Sequence, residues 1–159
     1  MIDVFLLLGS NLGDRSEYLQ KAIHLIETEL GGIVQTSSVY ETEAWGKNDE
    51  PNYLNQVVRV NTALSARQVL EKILQIETKM GRIREEKWGS RIIDIDILFY
   101  GHDIINEPGL IVPHPELQNR KFTLEPLNEL APDLQHPVLE KSIFQLKNEL
   151  KDNLVVKKL

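Results

Sequence analysis

The chain has 159 residues, 42% hydrophobic and 26% charged, with a net charge of −6 at pH 7 and no cysteine. That length suits one domain over residues 1–159 with a full core, and the missing cysteines exclude disulfides, thiolate metal sites and a cysteine nucleophile. The acidic balance argues against a nucleic-acid surface, no stretch is long enough to span a membrane, and the apolar run at 4–8 follows Asp3 rather than a signal peptide's basic flank; a cytoplasmic protein with neither nucleic-acid nor membrane partner is expected.

Residues 4–8 read as a buried strand ending in the turn Gly9-Ser10-Asn11. Asp14 and Glu17 have the spacing of a helix start, and Leu19, Ala22, Ile23, Ile26 and Leu30 recur at helical period up to Gly31-Gly32. Residues 33–42 predict a second strand, and 43–52 a polar loop with Trp45, Gly46 and Pro51. In the third strand, 53–62, Tyr53, Asn55 and Val57 share one face, and Leu54, Val58 and Val60 the other. Ser65 and Gln68 open a second helix that runs through Val69, Leu70, Ile73, Ile76 and Glu77 to Gly81. A loop at 82–90 leads into a strand at 92–100. Residues 103–106 and 110–112 suggest a hairpin, and Pro113, Pro115, Pro126, Pro132 and Pro137 predict short helices thereafter. Residues 142–150 form one more amphipathic helix, with Ile143, Leu146 and Leu150 facing inward. The order strand–helix–strand–strand–helix–strand implies an α+β, ferredoxin-like βαββαβ sandwich, its antiparallel sheet covered by helices, with an added C-terminal hairpin and helix segment.

Residues 87–98, Lys-Trp-Gly-Ser-Arg-Ile-Ile-Asp-Ile-Asp-Ile-Leu, break the pattern of an apolar strand. Asp94 and Asp96 should share a face with Ile92 and Leu98, while Ile93, Ile95, Ile97 and Phe99 line the core face. Their Cα atoms then lie about 6.6 Å apart, and two carboxylates at that separation repel by about 2.5 kcal/mol at an effective dielectric of ~20. A cation between them would relieve this, and magnesium favours one or two carboxylates completed by water and phosphate. Arg82, Arg84, Lys87 and Arg91 precede the pair, as transfer of a phosphoryl-type group requires; a solvated basic loop is the plainer alternative. Trp45 and Trp88 in polar loops, with Tyr53 and Phe122, suit a flat heterocycle, and Asn55 can read its polar edge. His114 lies between prolines. Spacing alone assigns the Gly9 turn no nucleotide role, because it lacks the lysine of a phosphate loop.

These residues together resemble the 6-hydroxymethyl-7,8-dihydropterin pyrophosphokinase family. The matching pieces are Leu8-Gly9-Ser10-Asn11-Leu12, Tyr53-Leu54-Asn55, Glu77 with Gly81-Arg82, the run Lys87-Trp88-Gly89-Ser90-Arg91-Ile92-Ile93-Asp94-Ile95-Asp96, and Val112-Pro113-His114 with Asn119, Arg120 and Phe122. The resemblance implies transfer of diphosphate from ATP to the pterin hydroxymethyl group, releasing AMP, in folate biosynthesis. It implies two Mg2+ ions on Asp94 and Asp96, and action on the phosphates by Arg82 and Arg91. It places Glu77, Arg84, Trp88, His114 and Arg120 at ATP, and Thr42, Trp45, Tyr53, Asn55, Trp88 and Phe122 at the pterin. ATP and the reduced pterin are the expected partners, with no obligate protein partner. The loops at 43–52 and 81–90 are expected to act as lids that exclude water. A metal-dependent phosphohydrolase and a ferredoxin-like RNA-binding module are the competing readings; the first leaves the loop aromatics unexplained, and the acidic charge opposes the second.

Overall fold

The apolar run at 4–8 becomes the middle of a sheet. In the computed structural model, which describes residues 1–43, 52–81, 92–152 and 154–159, β1 (Ile2–Ser10) pairs antiparallel with β4 (Tyr53–Thr62) on one side and β5 (Asp94–Tyr100) on the other. A strand paired on both edges and covered on both faces favours apolar side chains at successive positions. Beyond β4, β2 (Gly31–Thr36) and β3 (Tyr40–Thr42) lie end to end along the same edge, and β8 (Val156–Lys158) adds to β3. A small hairpin, β6 (Ile105–Glu107) and β7 (Leu110–Val112), turns at Gly109 with a positive φ.

Four helices cover the sheet: α1 (Arg15–Glu29), α2 (Ala66–Lys79), α3 (Lys121–Leu130) and α4 (Ile143–Glu149). Three carry local caps. Asp14 accepts from Glu17 N–H, Ser65 and Gln68 form a reciprocal box, and Ser142 accepts from Gln145 N–H, each satisfying a donor the helix start leaves open. Alternation along β1 and β4 then builds two cores. Leu6, Leu8 and Val58 meet α1 and α2 through Leu19, Ile26 and Ile73. Phe5, Leu7 and Val57 meet α3 and α4 through Leu124, Leu127 and Ile143. The mixed architecture and strand order are the α+β ferredoxin-like fold expected. No helix among the described residues is long and apolar enough to cross a membrane.

Several local expectations are corrected. Phe99 does not share a face with Ile97. Phe5 pairs with Phe99 but Leu6 with Ile97, so Leu98 is an extra residue, a bulge, and Phe99 turns into the second core with Leu98. Ile92 packs on the first core rather than joining the aspartate face. The strand expected at 33–42 is two strands, because the Ser37 hydroxyl accepts the Val57 N–H at 2.9 Å where a backbone carbonyl would otherwise serve. The helices after Pro113 are short, as expected, and Pro126 lies inside ten-residue α3, where it withholds only the N–H that the Phe122 carbonyl would accept. Strand β8 was not expected at all.

His136 is buried under Phe99, ring centroids 5.8 Å apart, and its Nδ1 accepts from Val138 and Leu139 N–H at 3.2 and 3.1 Å. Burial lowers its pKa. The unfolded chain therefore binds this proton more readily than the folded one, so the His136 contribution is present at neutral pH and lost as pH falls below about 6.5. The melting temperature should drop between pH 7 and pH 5. His136→Asn, which still offers the acceptor, should flatten that slope; slopes that run parallel in thermal melts would exclude His136 as a source.

Candidate active site

One end of the sheet opens into a cleft of about 720 Å³. Its floor is the face of β1, β4 and β5 that carries Gly9, Tyr53, Asn55, Asp94 and Asp96, and Thr42 on β3 and Phe122 on α3 form part of its walls. The registry explains the convergence. Gly9 pairs with both Asn55 and Asp94, and Thr42 pairs with Tyr53, so residues far apart in sequence stand side by side. Gly9 belongs to β1 rather than to a turn. A Cβ there would stand 2.9 Å from Asn55 Nδ2, so glycine gives the amide the space it occupies while donating to the Leu8 carbonyl at 3.4 Å.

The sequence-derived residues divide into four sets. Thr42, Tyr53, Asn55, Asp94, Asp96, Arg120 and Phe122 line this cleft. His114 lies in an adjoining cleft of about 260 Å³, which shares Asp96 with the first and is otherwise lined by apolar side chains including Leu70, Ile97 and Leu110. Trp45, Arg82, Arg84, Lys87, Trp88 and Arg91, with most of both expected lids, lie outside the described residues. Glu77 is in neither cleft. It is 3% exposed beneath β5, where its Oε2 accepts the Ile95 N–H at 2.9 Å, between the two aspartates.

Local geometry sets the remaining groups. The extra residue Leu98 turns its carbonyl out of the ladder, where it accepts the His114 N–H at 3.0 Å. Glu116 N–H donates to His114 Nδ1 at 3.1 Å, leaving Nε2 to carry the proton of the neutral ring. Burial and the Arg120 charge lower the His114 pKa, against the opposing pull of Glu116 and Asp94. His114 is thus a neutral donor at pH 7. The Arg120 guanidinium lies over the Phe122 ring, 5.6 Å from its centroid.

Five carboxylates (Glu43, Asp94, Asp96, Glu116 and Asp152) and two cations (Arg120 and Lys151) line the cleft among the described residues. Among these described residues carboxylates outnumber cations, so a polyphosphate beside them calls for added positive charge. No group of three metal-ligating side chains occurs among the described residues, but Asp94 and Asp96 fit a hard cation that takes its other oxygens from water and phosphate. The Thr42 hydroxyl, buried at the wall, has no hydrogen-bond partner among the described residues, which leaves a polar group for a ligand to satisfy. Sequence reading missed Gly9, whose signal was a glycine within a buried run, and Leu150, Lys151, Asp152 and Leu154, whose spacing carries none.

Comparison with known proteins agrees with this geometry. Residues 5–132 match the family model for 7,8-dihydro-6-hydroxymethylpterin-pyrophosphokinase (HPPK). The 2-amino-4-hydroxy-6-hydroxymethyldihydropteridine pyrophosphokinase of Aquifex aeolicus is 44% identical over 149 residues, covering 94% of this chain and 92% of its own. The Haemophilus influenzae protein of the same name is 38% identical over 159 residues, covering 99% and 98%. The wild-type HPPK-DHPS structure from Plasmodium falciparum superposes with a TM-score of 0.75 at 20% identity, over 93% of this chain and 44% of that one, a likeness of fold. With a cleft of matching chemistry and relatives matched over almost their whole length, this chain belongs to the 7,8-dihydro-6-hydroxymethylpterin-pyrophosphokinase family.

Proposed function

We propose that this chain transfers the terminal diphosphate of ATP, as one unit, to the hydroxymethyl oxygen of 6-hydroxymethyl-7,8-dihydropterin, releasing AMP, as a cytoplasmic step of folate biosynthesis carried out by a single domain. The new bond joins the pterin oxygen to Pβ, the bond from Pβ to the α,β-bridging oxygen breaks, and the hydroxyl proton is released. The observation that carries the reading is the meeting of two unlike clefts at Asp96. The larger, with Tyr53, Phe122 and the Asn55 amide, suits a flat heterocycle with a polar edge. The smaller, walled by Leu70, Ile97 and Leu110, suits a nucleotide base. A polyphosphate running from the second toward the first passes the aspartate pair.

Asp94 and Asp96 would hold Mg2+, two ions by family resemblance. Magnesium bound there supplies the positive charge that the phosphates need in this acidic cleft. Arg120 and the neutral His114 donate to phosphate oxygens, while Arg82 and Arg91 act on the transferred group and Arg84 binds ATP beside them. Tyr53 and Phe122 sandwich the pterin; Asn55 and Thr42 bond its edge; Trp45 and Trp88 close over it. Glu77 acts on the ATP site through β5, by holding Ile95 and with it both aspartates. Positioning and charge then do most of the work, as in phosphoryl transfer generally.

Protein incubated with Mg-ATP should form AMP only when the reduced hydroxymethylpterin is present; ADP or free phosphate without pterin would overturn the reading. Asp96→Asn should cut turnover more than about a hundredfold with little change in melting temperature, since Asp96 points into the cleft; turnover near wild type would remove it from the metal site. Gly9→Ala, by displacing the Asn55 amide, should raise the pterin KM about tenfold, a loss of about 1.4 kcal/mol; an unchanged KM would show that Asn55 does not contact the pterin. Arg82→Ala should lower kcat much more than ATP affinity, and the reverse pattern in steady-state kinetics would assign Arg82 to ground-state binding.

A further inference from the structure

Helix α3 lacks the side-chain N-cap that α1, α2 and α4 possess. Its N-cap is Arg120, which makes no side-chain cap hydrogen bond, and no acid stands in its first turn. Arg120 and Lys121 instead put two cations at the positive end of the helix dipole, where anions are favoured. The missing carboxylate comes from 31 residues downstream: Asp152 Oδ2 accepts the Lys121 N–H at 3.1 Å. That N–H lies between Arg120 and Phe122, both of which line the large cleft, as does Asp152.

The second oxygen is also engaged. Asp152 Oδ1 accepts the Leu154 N–H at 2.8 Å, and soon after Leu154 the chain enters β8, whose Val156 pairs with Thr42, which in turn pairs with Tyr53. One carboxylate therefore ties the wall that carries Phe122 to the wall that carries Thr42 and Tyr53. Building on the pterin reading of the cleft, we propose that Asp152 is a positioning residue for the pterin: it sets the gap between Phe122 and Tyr53 by holding the first turn of α3 to the chain that leads into β8. Leu150 and Leu154, which also line the cleft, complete that wall. Both Asp152 oxygens accept backbone N–H groups of the wall itself, so its removal should act on binding of the pterin before it acts on the chemistry.

The test is steady-state kinetics at saturating Mg-ATP, with the melting temperature measured alongside. Asp152→Ala should raise the pterin KM about tenfold while kcat stays within about twofold of wild type. Asp152→Asn, nearly identical in shape and able to keep one of the two acceptors, should fold as wild type does and give an intermediate KM. A residue that merely stabilises the fold would lower the melting temperature and the amount of active enzyme, hence the apparent kcat, and leave KM alone. That pattern in either variant, or a wild-type KM in Asp152→Asn, would overturn the assignment. Absence of pterin-dependent AMP in the wild-type protein would instead reject the functional reading on which it rests.

Discussion

A hydrogen bond from Ile95 N–H to the buried Glu77 carboxylate ties helix α2 to the outer edge of the working strand, whose inner edge is laddered to β1. β5 is the last strand of its sheet, so every second N–H on its outer side lacks a strand partner, and a buried donor without an acceptor is costly. Glu77, in the last turn of α2, satisfies one of them. Leaving such a buried donor unsatisfied costs about 1–3 kcal/mol, and this bond fixes the residue between Asp94 and Asp96. Hydrophobic packing of Val69, Ile73 and Ile76 brings α2 to the sheet; the carboxylate decides where along the sheet it stops.

The cleft needs both cores at once. The first anchors Ile93, Ile95 and Ile97, whose neighbours on the opposite face are the aspartates. The second seats Leu124 and Leu127 of α3, and so carries Phe122 and Arg120 across the cleft from them. The far end of α3 is fastened separately, where Glu129 accepts from Ser38 and from the Tyr40 hydroxyl at 2.7 Å. Burial raises the Glu129 pKa and these hydrogen bonds lower it further than burial lifts it, so its carboxyl stays ionised at neutral pH. Tyr40 and Thr42 sit on the same short strand, β3, which thereby joins the pocket wall to the helix that faces it.

Much of this was legible in the sequence where the signal was local. Asp14 and Ser65 announced their helices because a cap and its helix are neighbours in the chain. Tyr53 and Asn55 fell on one face of β4 because strand alternation is equally local, and the Asp94–Asp96 pair stood out as polar residues in an apolar run. The misses are all non-local. Ser37 breaks a strand by competing for an N–H on Val57, twenty residues away, and the cap of α3 comes from Asp152. β8 is three residues whose only reason to be extended is the open edge of β3. The resemblance alone assigns Glu77 to ATP, and the position of β5 adds that its carboxylate accepts the Ile95 N–H.

The extra residue in β5 gives one strand two phases. From Asp94 to Ile97, even-numbered residues face the cleft side of the sheet; beyond Leu98 the odd-numbered Phe99 does. Had the alternation continued unbroken, Phe99 would crowd the first core and leave its place against Phe5 and His136 vacant. The displaced step also frees the Leu98 carbonyl that seats His114. The irregularity therefore works as a phase shifter: it lets a strand whose leading half carries the aspartate pair finish as a hydrophobic anchor, and it turns the one residue left out of step into the foothold for His114. An aspartate pair transplanted onto a regular strand would bring its carboxylates but not this second arrangement.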